Sequence, residues 1–173
     1  MAALPTTRKF AQPTAIRWHS ASTDGVGLAL RAQWNRGESA FDKNRAFMAL
    51  LAAYRASGGL ARSQEIIGWL RRHNRCNVDA LSRWVHCREV VSLDWQDETW
   101  LPWFQFDHAA GQRSPCVAEI VKELRCGMDD WSIACWFAYP HARLGDHSPA
   151  EALPCRAAEV LAAARGSPFT AAA

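Results

Sequence analysis

The residues best suited to do chemistry in this chain are arginines. Arg62, Arg71, Arg72, Arg75, Arg83 and Arg88 fall in one short stretch, opposed only by Glu65 and Asp79. A guanidinium is planar and permanently charged, and its donor fork meets two phosphate oxygens at once, which an ammonium does not. Residues 62–88 hold no lysine, so the pattern points to recognition of a phosphate backbone. A solvated helix face would give the same composition, and charge alone leaves both readings open. His86 lies on the same segment and is a further candidate for phosphate contact.

Other chemistries lack their residues. His19, His73, His86, His108, His141 and His147 make no His-Glu-x-x-His pair and stand at no zinc-finger spacing to a cysteine. Cys76, Cys87, Cys116, Cys126, Cys135 and Cys155 include no Cys-x-x-Cys, and the N-terminus has no apolar signal-peptide core. Reduced, mostly buried thiols in a cytoplasmic protein are therefore expected. There is no nucleophile elbow and no glycine-rich phosphate cradle. The adjacent acids Asp129 and Asp130 sit where a helix begins and read as capping residues. The expectation is a non-enzyme with no metal, no cofactor and no catalytic residues.

The run "DWQDETWLPWFQFD", residues 94–107, concentrates Trp95, Trp100, Trp103, Phe104 and Phe106. Exposed aromatics beside basic residues stack single-stranded bases. Here Asp94, Asp97, Glu98 and Asp107 surround the rings, and no Lys or Arg occurs over residues 90–112. Acids in that number repel a phosphate backbone, so the run is expected to pack as a hairpin. Trp95 would face Trp100 across it. Trp103, Phe104 and Phe106 would pin it to the C-terminal helices.

Apolar periodicity supplies the elements that must position these residues. Phe41, Phe47, Leu50, Leu51 and Tyr54 recur at helical spacing, and Gly58-Gly59 ends that helix. "SQEIIGWLRRH" comes next, with Ser63 as N-cap and Ile66, Ile67 and Leu70 as its apolar stripe. After a polar break, Asn77 can cap "VDALSRWVHCRE", with Leu81, Trp84 and Val85 inward. "VVSLDW" and "WLPWFQF" read as two strands around the turn "QDET", with Pro102 confining the second to an edge or ending it.

The last third is helical. Pro115 opens a helix with Val117, Ile120, Val121 and Leu124 on one face, and "DDWSIACWFA" forms the next. Ser148, Pro149 and Glu151 begin another helix with a capping box, and "CRAAEVLAAARG" is an Ala-rich helix closed by Gly166. The fold class expected is mainly α. A helix-turn-helix with a small β-hairpin wing would be followed by a compact helical C-terminal domain. Residues 1–40 read as a flexible tail with one short ordered piece at "GLALRAQW", 41–107 as the helix-turn-helix region, and 108–173 as the helical domain. No apolar run is long enough to span a bilayer.

From about residue 100 onward the chain resembles the toxin-binding domain of Xre/MbcA/ParS-type bacterial antitoxins. The resemblance rests on "WLPWFQFD", "VAEIVKELRCGMDDWSIACWF" and "YPHARLGDHSPAEAL". Its most specific pattern is carried by Trp136, Phe137, Pro140, Leu144, Gly145, Ser148, Pro149, Glu151 and Leu153. The resemblance implies that this region binds a protein partner, a RES-type toxin that consumes NAD. It also implies that an upstream helix-turn-helix represses the protein's own operon. A homodimer is expected from the family and from the two-fold symmetry of operators. The alternative is an orphan interaction or dimerisation module that does not bind DNA.

Overall fold

The computed structural model describes residues 40–73 and 79–167. The expected N-terminal tail with "GLALRAQW", Arg75, Cys76, the cap at Asn77, the Phe41 side chain and residues 168–173 lie outside the described part. The described chain is mainly helical with a small antiparallel sheet.

Helix α1 spans Ala40–Ala53 and tightens into a 3-10 turn over Tyr54–Ser57. Its inward residues Phe47, Leu50 and Tyr54 are fully buried at spacings of three and four. Gly58 ends it in the left-handed conformation at φ 100°. A Cβ there would come within 3.0 Å of the Trp103 Cβ, so both backbone geometry and packing exclude a side chain.

Strand β1, Leu60–Arg62, then leads directly into α2, Ser63–His73. Ser63 is thus the first helical residue rather than the cap, and the Arg62 N–H donates to Glu65 Oε2 at 3.1 Å. Helix α3, Asp79–His86, packs on α2 through Leu81 and Trp84, with Val85 half-buried beside them. Strands β2, Leu93–Trp95, and β3, Glu98–Pro102, form a hairpin. Gln96 and Asp97 at its tip have φ 48° and 59°. Two consecutive positive φ values make the primed turn whose twist suits a two-residue hairpin.

The sheet order is β1-β3-β2, so β3 is central rather than an edge. Pro102 is tolerated because it is the last residue of β3, paired with Leu60 at the sheet's end. Trp95 lies opposite Glu98, and Trp100 lies opposite Leu93. The two tryptophans are therefore diagonal neighbours on one face, with ring centroids 6.2 Å apart, and not directly opposed as expected.

A short two-stranded ribbon comes next, β4 Phe106–Asp107 with β5 Gln112–Arg113. Then come α4, Pro115–Leu124, α5, Asp130–Ala138, and α6, Pro149–Arg165. The two helices expected after residue 148 are present and abut at a kink within Pro149–Arg165. Pro154 lies inside that span and Arg156 departs from helical geometry at φ −132°, ψ 35°. A proline there removes one backbone donor and crowds the preceding turn, which accounts for the kink.

Two hydrophobic clusters share the three-stranded sheet. The larger joins Leu50, Tyr54, Val91 and Leu93 to α4, α5 and α6, so it draws on both sides of position 107. The smaller joins Ala61, Val90, Leu101 and Phe106 to α2 and α3. Alternation along the strands sends successive side chains to opposite clusters. The aromatic run divides in the same way. Phe104 stacks on Tyr54 and lies 4.8 Å from Phe137 of α5. Trp103 and Phe106 instead meet Trp69 of α2, at 5.5 and 5.8 Å. Only Phe104 of the three expected pins thus reaches a C-terminal helix. Trp95 stacks on Phe47 at 4.0 Å, and its indole N–H donates to Asn44 Oδ1.

Between the clusters lies Gln105, 1% exposed. Its carboxamide accepts from the Val91 N–H at 2.8 Å and donates to the Val91 carbonyl at 2.9 Å. Val91 lies outside the paired strands, and this side chain stands in for a strand neighbour. Tyr54 adds a buried tie, its hydroxyl donating to the Ala134 carbonyl at 2.6 Å. Replacing Gln105 with Leu strands both Val91 groups in an apolar interior, at about 1–3 kcal/mol for each buried unsatisfied group. Urea denaturation of Gln105→Leu is expected to show a loss of about 2–4 kcal/mol with an unchanged denaturant slope.

Candidate nucleic-acid and partner interfaces

The amphipathic patterns of α2 and α3 leave their polar faces in solvent. Arg71 and Arg72 occupy the last turn of α2, where cations complement the helix dipole, and both are exposed. Arg83 and His86 are exposed on α3. Among the described residues, no carboxylate forms an ion pair with Arg71, Arg72 or Arg83.

Arg62 and Arg88 are engaged elsewhere. Arg62 meets Glu98 at 2.8 Å, and its guanidinium lies 5.2 Å from the Trp100 ring centroid. Arg88, just past α3 at φ 56°, is held loosely by Asp130 at 3.6 Å. The arginines of residues 62–88 therefore split. Those on the faces of α2 and α3 keep their charge available, and those beside the sheet or α5 share it.

The hairpin carries the opposite sign. Asp94, Asp97 and Glu98 are exposed on it, and it contains no basic residue. Its rings are committed to packing, and the exposed large hydrophobic residue among the described ones is Met48, on α1. A base-stacking platform has no exposed rings to use here.

The segment expected to meet a partner begins at α5. Asp129 caps that helix, its carboxylate accepting from the Ser132 N–H at 2.7 Å. Phe137 is fully buried, and Trp136 lies edge-on to it at 5.0 Å. After Ala138 the chain leaves the helix, and Pro140 lies in solvent. His141 and His147 form an isolated antiparallel bridge. Between them Leu144 is fully buried, and Gly145 takes φ 66°, which a Cβ disfavours.

Ser148 and Glu151 close a capping box at the start of α6, with Pro149 in the first position. The Ser148 hydroxyl donates to Glu151 Oε2 at 2.7 Å and accepts from the Glu151 N–H at 3.3 Å. Leu153 turns inward. Arg156, at the kink, donates to the Leu144 carbonyl at 2.8 Å and pairs with Glu159, so the turn is tied to α6. Nothing in the periodicity marks Arg156 for this role. As a surface, the nine motif residues offer Pro140, Gly145, Glu151 and part of Trp136; the other five are buried.

The thiols differ from expectation. Cys87, Cys126 and Cys155 are exposed, while Cys116 and Cys135 are half-buried, because the first three fall on turns or polar helix faces. Burial, with a smaller contribution from Asp129, pushes the Cys135 thiol up to about 12. Burial also raises Tyr54 and takes Tyr139 to about 12. Among the described residues, no group of three His, Cys, Asp or Glu side chains could hold a metal ion, and no helix is long and apolar enough to cross a membrane. No family model, no curated protein and no solved structure matches the chain.

Ser148→Ala removes a helix cap and is expected to cost about 1 kcal/mol in urea denaturation. Alkylation at mildly alkaline pH is expected to modify Cys87, Cys126 and Cys155 well before Cys135. The folded chain favours the neutral Cys135 thiol, whose ordinary value is 9.0. That contribution to stability is complete below pH 9.0 and is lost as pH rises towards 12. Cys135→Ser should flatten part of the alkaline decline in the urea midpoint.

Proposed function

We propose that the chain is a non-enzymatic, antitoxin-like regulator. Residues 41–107 serve as a winged helix-turn-helix region that binds duplex DNA, and the C-terminal helices bind a protein partner, a RES-type toxin by resemblance. The observation that carries the DNA half is the order α1-β1-α2-α3-β2-β3 with β1 laid beside β3, together with the solvent-facing arginines on α2 and α3. In that arrangement α3 is the recognition helix and the β2–β3 hairpin is the wing. Arg71 and Arg72 then contact phosphates from the end of α2, and Arg83 and His86 reach the groove or its walls. Arg75, between the two helices, is assigned to the same role from its sequence position. The protein acts in the cytoplasm as a homodimer, as two half-sites require.

The partner half rests on the motif that shapes α5, the His141–His147 turn and α6. Caps, a bridge and the Arg156 tie fix that framework, which suits a surface that must present one shape to a toxin. Co-expression with a RES-domain toxin tests it by co-elution as one complex; a toxin that elutes alone sinks this half.

A second reading has its own support. The acidic hairpin and the pairing of Arg62 and Arg88 suit an interaction or dimerisation module without DNA contact. Salt dependence separates the two, since duplex binding releases counterions and weakens steeply with salt. Arg83→Ala is expected to weaken binding to a mixed-sequence duplex about tenfold, a change of about 1.4 kcal/mol. Fluorescence anisotropy across a salt series measures this. A chain with no salt-sensitive affinity for duplex DNA belongs to the second reading.

A further inference from the structure

The wing of a DNA-binding domain ordinarily supplies a second contact beside the recognition helix. Here the hairpin bears Asp94, Asp97 and Glu98. Basic residues gather instead at the C-terminal end of α3. An open cleft of about 520 Å³ separates the C-terminal end of α3 from α4, and its lining includes Arg88, Arg113, Lys122 and Arg125.

The acids in and beside the cleft are paired, two of them with the cleft's own Arg113 and Arg125 and one with Arg165. Glu89 meets Arg113 at 2.9 Å, and Glu119 meets Arg165 at 2.9 Å. Asp130 is held by Arg125 at 2.8 Å and touches Arg88 only at 3.6 Å. Arg125 is fixed further by donating to the Val90 carbonyl at 3.1 Å, so its charge does not swing away. One cation is unpaired among the described residues, and a second is only loosely held. Lys122 is exposed and makes no ion pair among the described residues, and the Arg88 side chain is 66% exposed. The Cys87 N–H donates to the Arg83 carbonyl at 2.7 Å. Arg83 therefore lies one helical turn before Cys87, which lines the cleft.

We infer that this cleft is the second phosphodiester-binding surface of the protein. It takes the place of the wing, with Arg88 and Lys122 contacting the backbone of the duplex that α3 engages. The inference rests on the DNA reading above and extends its footprint onto α4, outside the helix-turn-helix. Consequently the C-terminal region takes part in DNA binding, and the hairpin stays off the duplex.

The test is fluorescence anisotropy of the full chain on a mixed-sequence duplex several helical turns long, over a salt series. The variants are Lys122→Ala, Arg88→Ala, Arg83→Ala and Asp97→Ala, with circular dichroism melting to show that each is folded. Each lost phosphate contact lowers the slope of log affinity against log salt by about 0.9. Lys122→Ala and Arg88→Ala are each expected to lower it by about that amount, and Asp97→Ala to leave it within a fraction of a contact. A slope that falls for Arg83→Ala but not for Lys122→Ala or Arg88→Ala overturns the cleft while the DNA reading stands. A wild-type chain with no salt-dependent affinity removes both. Inorganic phosphate is the control for a free anion as occupant. If it raises the melting temperature of the wild type but not of Lys122→Ala, while duplex slopes are unchanged, the cleft is an anion site and not a duplex contact.

Discussion

A single carboxamide governs how this molecule is divided. Gln105 hydrogen-bonds both backbone groups of Val91 in the interior, and the bonds hold that segment straight where no strand is available to hold it. Because the segment cannot rotate, Val90 faces one hydrophobic cluster and Val91 the other. The strands after it keep the same alternation. Leu93 enters β2 towards the larger cluster, Trp100 and Leu101 separate across β3, and Phe104 and Phe106 flank Gln105 on opposite sides. A carboxamide suits the place because one planar group both donates and accepts. A carboxylate would lack the donor, and an aliphatic side chain would lack both.

Much of the fold was legible in local sequence, for reasons that are themselves local. The capping box at Ser148 and Glu151, the cap at Asp129, the stop at Gly58 and the turn at Gly145 each depend on residues within a few positions of one another. The apolar stripe of α4 is buried as its spacing requires. What escaped was non-local. Strand β1 is three residues long and gains its identity from β3, some forty residues on. Without it, β3 reads as one arm of a two-stranded hairpin, although Pro102 does end the strand, one of its two expected roles. The placement of Tyr54 against Ala134 likewise depends on a contact eighty residues away. Periodicity announces that α1 has an apolar face, but not which helices will cover it.

The candidate DNA surface was legible in type and less so in detail. A cluster of arginines is visible in composition, whereas their division between solvent and carboxylates depends on partners such as Glu98 and Asp130 that lie outside the cluster. The aromatic run shows the converse. Its acids pointed to a packed hairpin, yet the destination of each ring came from strand register, which turn geometry helps to set.

The shared sheet has a consequence for how such a protein can change over time. Strands β1 and β3 each serve two interiors at once, since Leu60 and Trp100 belong to one cluster and Ala61 and Leu101 to the other. A substitution in β3 is therefore judged by both neighbours, and neither cluster can be exchanged as a cassette by recombination near residue 107. Substitution is least constrained on the outer faces of the helices and at the hairpin tip. Such a chain can therefore alter its surface far more readily than its fold.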